Sequence, residues 1–154
     1  MIALSHKVIP EFQGDYRFLS NFWPSQIIKE GILYPTVEHA YQASKTLDPI
    51  LHRKIAMEPT PGRAKRWGRR LELQPDWNAI KLDIMLDLIV RKFINADLRE
   101  RLLLTQDWEL QEGNSWGDRF WGISPVGSSN GANHLGKILM KVRQEYRTND
   151  STQP

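Results

Sequence analysis

Four groups of residues in this sequence carry types and spacings that could do chemistry. Glu38, Gln42 and Lys45 stand at i, i+4 and i+7, which sets all three on one face if the segment is helical. A carboxylate there can hold or activate water, the amide can orient a sugar hydroxyl, and the amine can bind phosphate or attack an aldehyde. The same pattern also fits an exposed helix face with a loose ion pair. A second group is the Gly-rich, aromatic segment Asn114-Ser-Trp-Gly-Asp-Arg-Phe-Trp-Gly122. Trp116 and Trp121 suit stacking on a nucleobase, and Asp118 suits a second carboxylate. The alternative is a hydrophobic plug with Asp118 as a turn residue. Third, Phe18-Leu-Ser-Asn-Phe-Trp-Pro24 sets Asn21 among aromatics, where its amide would meet a base edge or ribose, or form an Asx turn ahead of a strand. Fourth, Pro61 to Arg70 gathers Arg63, Arg66 and Arg69 near a helix start, a combination suited to phosphate.

The charge distribution supports that last group. The chain of 154 residues has a formal net charge of +3. Between His52 and Arg70, however, seven basic residues face Glu58 alone, so the remainder is net acidic. Such a patch suits phosphate or nucleic acid, or forms a solvated helix face. There is no cysteine, which excludes disulfides, thiolate metal sites and Cys nucleophiles. His6, His39, His52 and His134 lack metal-ligand spacing, so no metal and no other cofactor is expected. No apolar run reaches the length of a membrane span and the N-terminus lacks an apolar signal core, so a cytoplasmic protein without membrane partners is expected.

These groups need elements to position them. Lys7–Phe12 reads as a short strand, and Ser25–Lys29 with Ile32–Tyr34 as a hairpin turning at Glu30-Gly31. Thr36 is a good N-cap for a helix from Val37 to about Leu47. Asp48-Pro49 and Thr60-Pro61 repeat the cap-plus-proline grammar, for helices ending near Met57 and Gly68. Pro75-Asp76 opens what reads as the longest helix, Trp77 to about Asn95, with Ile80, Ile84, Leu88 and Val90 toward the core. Asp97 and Glu100 suggest a capping box for a helix through Leu104. Trp108–Glu112 alternates like a strand, and a last helix spans about Asn133 to Tyr146, with Leu135, Ile138, Leu139 and Val142 inward. Residues 148–154 read as a frayed tail. The expected fold is a mainly helical α+β domain over residues 1–147, with a small sheet and a long central helix.

Taken in order, these segments become more specific. They are Phe18-Leu-Ser-Asn-Phe22; Tyr34-Pro-Thr-Val-Glu-His-Ala-Tyr-Gln-Ala-Ser-Lys45; Pro61, Ala64 and Gly68-Arg69; Trp77, Lys81 and Met85; Lys92-Phe93; Leu98-Arg99, Leu102, Leu103 and Thr105; Trp116-Gly-Asp118; and Asn133-His-Leu-Gly136, Leu139-Met140 and Arg143. Over roughly residues 15 to 147 the chain resembles the NADAR, or YbiA-like, family. The resemblance implies hydrolysis of N-glycosidic bonds. The substrates implied are ribosylaminopyrimidine phosphates of riboflavin synthesis, or ADP-ribose on guanine in nucleic acid. It matches Glu38 to the acid/base carboxylate, places Trp77 and Asp118 in the site, and matches Lys45 to a lysine with a suggested Schiff-base role. Beside these, Asn21, Gln42, Arg63, Arg66, Arg69, Trp116 and Asn133 are the expected substrate-binding residues. The loop after Asp118 is bulkier than the short Gly-rich form of the riboflavin-type members, which leaves both substrate classes open. Two rival readings remain: a non-catalytic ADP-ribose or NAD-binding module, and a nucleic-acid-binding protein built on the basic patch.

Overall fold

Between Thr36 and Gly68 the chain starts a helix three times by the same device, a capping side chain that accepts from a backbone N–H of the first turn. Thr36 accepts from His39 N at 3.2 Å, Asp48 from Ile50 N at 2.8 Å and Thr60 from Arg63 N at 3.2 Å. Each such cap is worth about 1 kcal/mol. The last two are followed by Pro49 and Pro61, whose missing N–H costs nothing in a first turn.

A computed structural model describes residues 7–152, with side chains through residue 149. In chain order the elements are β1 (Val8–Ile9), a 3₁₀ turn (Gly14–Leu19), β2 (Ile27–Lys29), β3 (Ile32–Tyr34), α1 (Val37–Ala43), α2 (Pro49–Ala56), α3 (Pro61–Gly68), α4 (Trp77–Lys92), α5 (Ala96–Leu103), β4 (Glu109–Leu110) and α6 (His134–Thr152). They gather into two compact units, one of residues 21–95 and the other of residues 7–20 with 96–152. The class is the expected mainly helical α+β one, and the described strands form two small sheets.

In the unit of residues 21–95, β2 and β3 pair antiparallel with Ile27 opposite Tyr34 and Lys29 opposite Ile32. Glu30 and Gly31 turn the hairpin with φ of 50° and 77°, the left-handed pair that a two-residue turn requires. Helix α1 lies in the middle of this unit and touches β2, β3, α2, α3 and α4. All seven of its residues are buried. In the other unit β1 runs parallel to β4, and α6 packs against β4 and α5. Its core is Ile9, Phe12, Phe18, Leu19, Leu98, Leu102, Leu110, Leu135, Leu139 and Val142.

Several boundaries differ from the sequence reading. Helix α1 stops at Ala43 rather than near Leu47, where the backbone tightens: Lys45 N bonds Gln42 O and Thr46 N bonds Ala43 O, each at 3.2 Å. Helix α4 has 16 residues and is exceeded by α6, which has 19 and continues past Tyr146 through Thr152. No glycine or proline interrupts residues 137–152, and Arg147 pairs with Asp107, so residues 148–152 are helical rather than frayed. The core face of α4 is Trp77, Met85, Leu88, Ile89 and Lys92; Ile80 and Ile84 are half-buried and Val90 is exposed. Val90 stands two residues from buried Leu88, about 200° round the helix. Ile138 is half-buried. Asp97 lies inside the first turn of α5 rather than at its cap. Strands β1, β2 and β4 are shorter than expected, and His6 and residues 153–154 lie outside the described residues.

Buried His39 ties α1 to the loop before α3. Its Nε2 lies 2.9 Å from the Glu58 carbonyl, which can only accept, so Nε2 carries the proton. Nδ1 then accepts from the Thr36 hydroxyl at 2.7 Å. Burial lowers the His39 pKa below 6.5, against smaller opposing effects of the Glu58 carbonyl and carboxylate. The unfolded chain therefore binds this proton before the folded chain does. Stability is full above the unfolded value and falls as pH drops from 6.5 through the folded value. Urea unfolding of wild type and His39→Gln at stepped pH is expected to show their stability difference shrinking as the solution is acidified through that window. A difference independent of pH would contradict the neutral, buried imidazole.

Candidate active site

Glu38, Gln42 and Tyr41 of α1 are 7%, 4% and 6% exposed, so the exposed-face alternative for this column fails. Gln42 Nε2 donates to Glu38 Oε1 at 2.8 Å. Reversing the amide would set its oxygen against a carboxylate oxygen, so electrostatics selects this orientation. Gln42 Oε1 is then left buried with no hydrogen-bond donor. The main chain of Asn21 holds the start of the same turn, its carbonyl accepting from Glu38 N at 3.1 Å. The Asn21 side chain reaches Met85 Sδ at 3.6 Å, and its Oδ1 is likewise buried without a partner. Two buried acceptor oxygens, on residues that bond Glu38 through its carboxylate and through its main chain, can therefore accept from a ligand that brings hydrogen-bond donors.

Lys45 lies beyond the end of α1, and its position comes from the turn after Ala43 rather than from helical periodicity. Its Nζ stands 5.3 Å from the centroid of the Tyr41 ring, and Tyr41 packs on Trp77 with centroids 5.4 Å apart. Burial is the main cause that lowers the Lys45 pKa; Glu38 opposes it, and Lys65 and Lys81 add to it. A larger fraction of this amine is therefore neutral, and nucleophilic, than for a lysine in water.

Gly68, at the end of α3, closes the site from the opposite side. A Cβ there would collide with Gln42 Oε1 and come within 2.8 Å of Lys45 Nζ and 2.9 Å of Gln42 Cδ. The sequence reading used Gly68 only as a helix end and in its resemblance, and it did not single out Tyr41 as a contact to the amine. A glycine within an otherwise helical pattern was the available signal for a close approach. Arg63 and Arg66 of α3 and Arg69 at its C-cap are exposed, and no ion pair or hydrogen bond joins their side chains to a described residue. Two clefts of this unit, of about 260 and 310 Å³, lie elsewhere; neither is lined by Glu38, Gln42 or Lys45.

The other expected residues belong to the second unit, where their geometry is as follows. Asp118 Oδ1 accepts from Phe120 N at 3.1 Å and Trp121 N at 3.0 Å, the turn arrangement. Asn133 bridges two chain segments, accepting from Glu112 N and donating to Leu110 O. Trp121 packs with Phe120 and His134, whereas Trp116 is 62% exposed. No cluster of three or more potential metal ligands occurs among the described residues, and no helix among them is long and apolar enough to cross a membrane.

The NADAR domain family model matches residues 10–147. The chain is 41% identical over 138 residues to an N-glycosidase of Nostoc punctiforme, covering 86% of each. It is 38% identical over 136 residues to a riboflavin biosynthesis protein of Vibrio vulnificus, and spans 36% of that relative's length. The NMR structure of the Escherichia coli protein YbiA is similar with a TM-score of 0.81 at 30% identity, over 98% of this chain and 94% of that one.

The tight approach of Gly68 leads to a measurable coupling. Gly68→Ala is expected to cost about 1–3 kcal/mol by overpacking. Adding Gln42→Ala removes the atoms it strikes, so the double variant should be more stable than the sum of the single changes allows. Additive losses in denaturant titrations would show that Gly68 does not press on Gln42.

Proposed function

Because this chain belongs to the NADAR family, we propose that it is an N-glycosidase hydrolysing the base–ribose bond of a phosphorylated or ADP-ribosyl substrate. The observation that carries the reading is the buried Glu38–Gln42 pair, with its spare acceptor Gln42 Oε1 and the Lys45 amine beside the same Gly68 edge. Breaking an N-glycosidic bond builds positive charge at the anomeric carbon. The Glu38 carboxylate stabilises that charge and takes the proton of the attacking water. Gln42 fixes the Glu38 carboxylate through its Nε2 and offers Oε1 to a ribose hydroxyl. Lys45 holds the phosphate-bearing sugar electrostatically, or its neutral form adds to the aldehyde of the opened ribose. In the second case the amine and aldehyde lose water to give an imine, which water later reverses.

The Tyr41–Trp77 pair supplies an aromatic wall to the base or sugar face. The exposed guanidinium groups of α3 suit the phosphate or pyrophosphate. The name of the Vibrio relative favours a ribosylaminopyrimidine phosphate. The breadth of the basic surface, with Arg53, Lys54 and Arg70 added, favours the second reading, ADP-ribosylated guanine in nucleic acid. Asp118 enters as a second carboxylate only through its match to the family motif.

The test is a side-by-side hydrolysis assay on both substrates, with binding followed by calorimetry. Glu38→Gln, if it folds, is expected to lose about 10²–10⁴-fold in turnover while still binding. Near wild-type turnover in that variant removes Glu38 from the chemistry. Saturable binding by the wild type with no base released favours the non-catalytic ADP-ribose or NAD-binding module instead.

A further inference from the structure

Lys45 follows a helix that ends two residues earlier, so something other than helical hydrogen bonding must hold its backbone. The carbonyls of residues 44, 45 and 46 each have an individual donor. Gln74 Nε2 donates to Ser44 O at 2.6 Å, Gln74 N donates to Lys45 O at 2.7 Å, and His52 Nε2 donates to Thr46 O at 2.6 Å. Because a carbonyl only accepts, His52 carries its proton on Nε2. Gln74 also accepts from Trp77 N at 3.3 Å, so one residue bonds to both the Lys45 segment and the first turn of α4.

Close packing does not fix this segment from behind. A cleft of about 260 Å³ is lined there by Ser44, Thr46, His52 and Gln74. With open space on that side, these three hydrogen bonds add to the turn bonds of Lys45 N and Thr46 N in setting the course of residues 44–46. They thereby determine where the Lys45 side chain starts. A shift of about 1 Å in a reacting group is enough to cost large factors in rate.

We propose that Gln74, seconded by His52, is the positioning residue of the Lys45 amine. Gln74 pins the carbonyls of Ser44 and Lys45, on either side of Lys45 Cα, and links them to the turn bearing Trp77, while His52 pins the next carbonyl, that of Thr46. The inference rests on the reading of Lys45 as a site residue. The groups facing Lys45 are Glu38 and Tyr41 of α1, Lys65 of α3 and Lys81 of α4. Moving the amine out of that setting changes its proton affinity in a direction that can be measured without substrate.

The experiment measures the pH profile of Lys45 acetylation by trace acetic anhydride, read by peptide mass spectrometry on the intact folded chain. Exposed Lys54 and Lys137 serve as internal references. Gln74→Met keeps the bulk of the side chain and the backbone N–H but removes the donor to Ser44. The Lys45 midpoint in this variant is expected to rise toward 10.5 while the references stay fixed. The labelled fraction per unit time at a pH below the midpoint should then fall about tenfold for each pH unit of rise. His52→Leu should move the midpoint in the same direction, and His52→Gln, which restores an amide donor, should return it. If Gln74→Met fails to fold, the His52 pair carries the test.

Unchanged Lys45 midpoints in the folded variants, or equal shifts in Lys54 and Lys137, would overturn the proposal. In the glycosidase assay Gln74→Met should lower kcat about tenfold or more with KM little changed. Absence of any glycosidase activity in the wild type, together with a Lys45-specific shift in the variants, would refute the hydrolase reading and leave the positioning role standing.

Discussion

A helix buried on every side must find a partner for every polar group it carries, and α1 carries Glu38, His39 and Gln42, as well as the Tyr41 hydroxyl, within seven residues. An uncompensated carboxylate or unpaired amide in such a place costs several kcal/mol, a large part of the stability of a domain this size. Thr36 and the Glu58 carbonyl satisfy His39, and Gln42 answers Glu38. The surrounding elements follow from these pairings. The cap that starts α1 is the residue that holds the imidazole, and the loop before α3 supplies the carbonyl that fixes its tautomer. Gln42 Oε1 is the group that no protein donor answers.

The same burial explains why α1 is short. Extending it as a regular helix to Leu47 would have required the carbonyls of residues 44–46 to find partners along the helix axis. They are met instead by Gln74 and His52 from α2 and the approach to α4, and Leu47 is left 68% exposed. Lys45 leaves the column it would have occupied at i+7 and comes to rest over the Tyr41 ring. The i, i+4, i+7 spacing thus grouped three residues on a geometric premise that holds only for the first two.

How much of this was legible beforehand depended on whether the signal was local. Caps, N1 prolines and the Glu30-Gly31 turn act within a few residues of themselves, and they marked the hairpin and the starts of α1, α2 and α3 in the sequence. Helix ends were harder to read, since they depend on distant donors such as Gln74 or on side chains such as Arg147 meeting Asp107. Burial was hardest. Glu38 and Gln42 have the composition of a surface face, and only the packing of β2, β3, α2, α3 and α4 around α1 reverses that expectation. Val90 erred the opposite way, an apolar residue two positions off the face that Leu88 defines. Asn114 and Asn133 are buried and occupied by backbone groups, a use for which loop composition offers no distinguishing mark.

The electrostatics around α1 divide the work between depth and surface. The guanidinium groups of Arg63 and Arg66 on α3, and of Arg69 at its end, are exposed, where attraction to any anion is screened by salt. Lys45 is partly buried, where its charge is harder to keep and its interactions are less screened. Glu38 is more deeply buried than Lys45, and its charge moderates the loss of proton affinity that burial imposes on the amine. Removing the carboxylate therefore favours a neutral amine, and removing the amine leaves a buried carboxylate with an amide for its neighbour. Gly68 makes this closeness affordable in space, because any side chain there would have to push Gln42 away from the carboxylate it steadies. The constraint that begins with a fully buried helix thus ends in an amine whose proton affinity burial lowers and a neighbouring carboxylate partly restores.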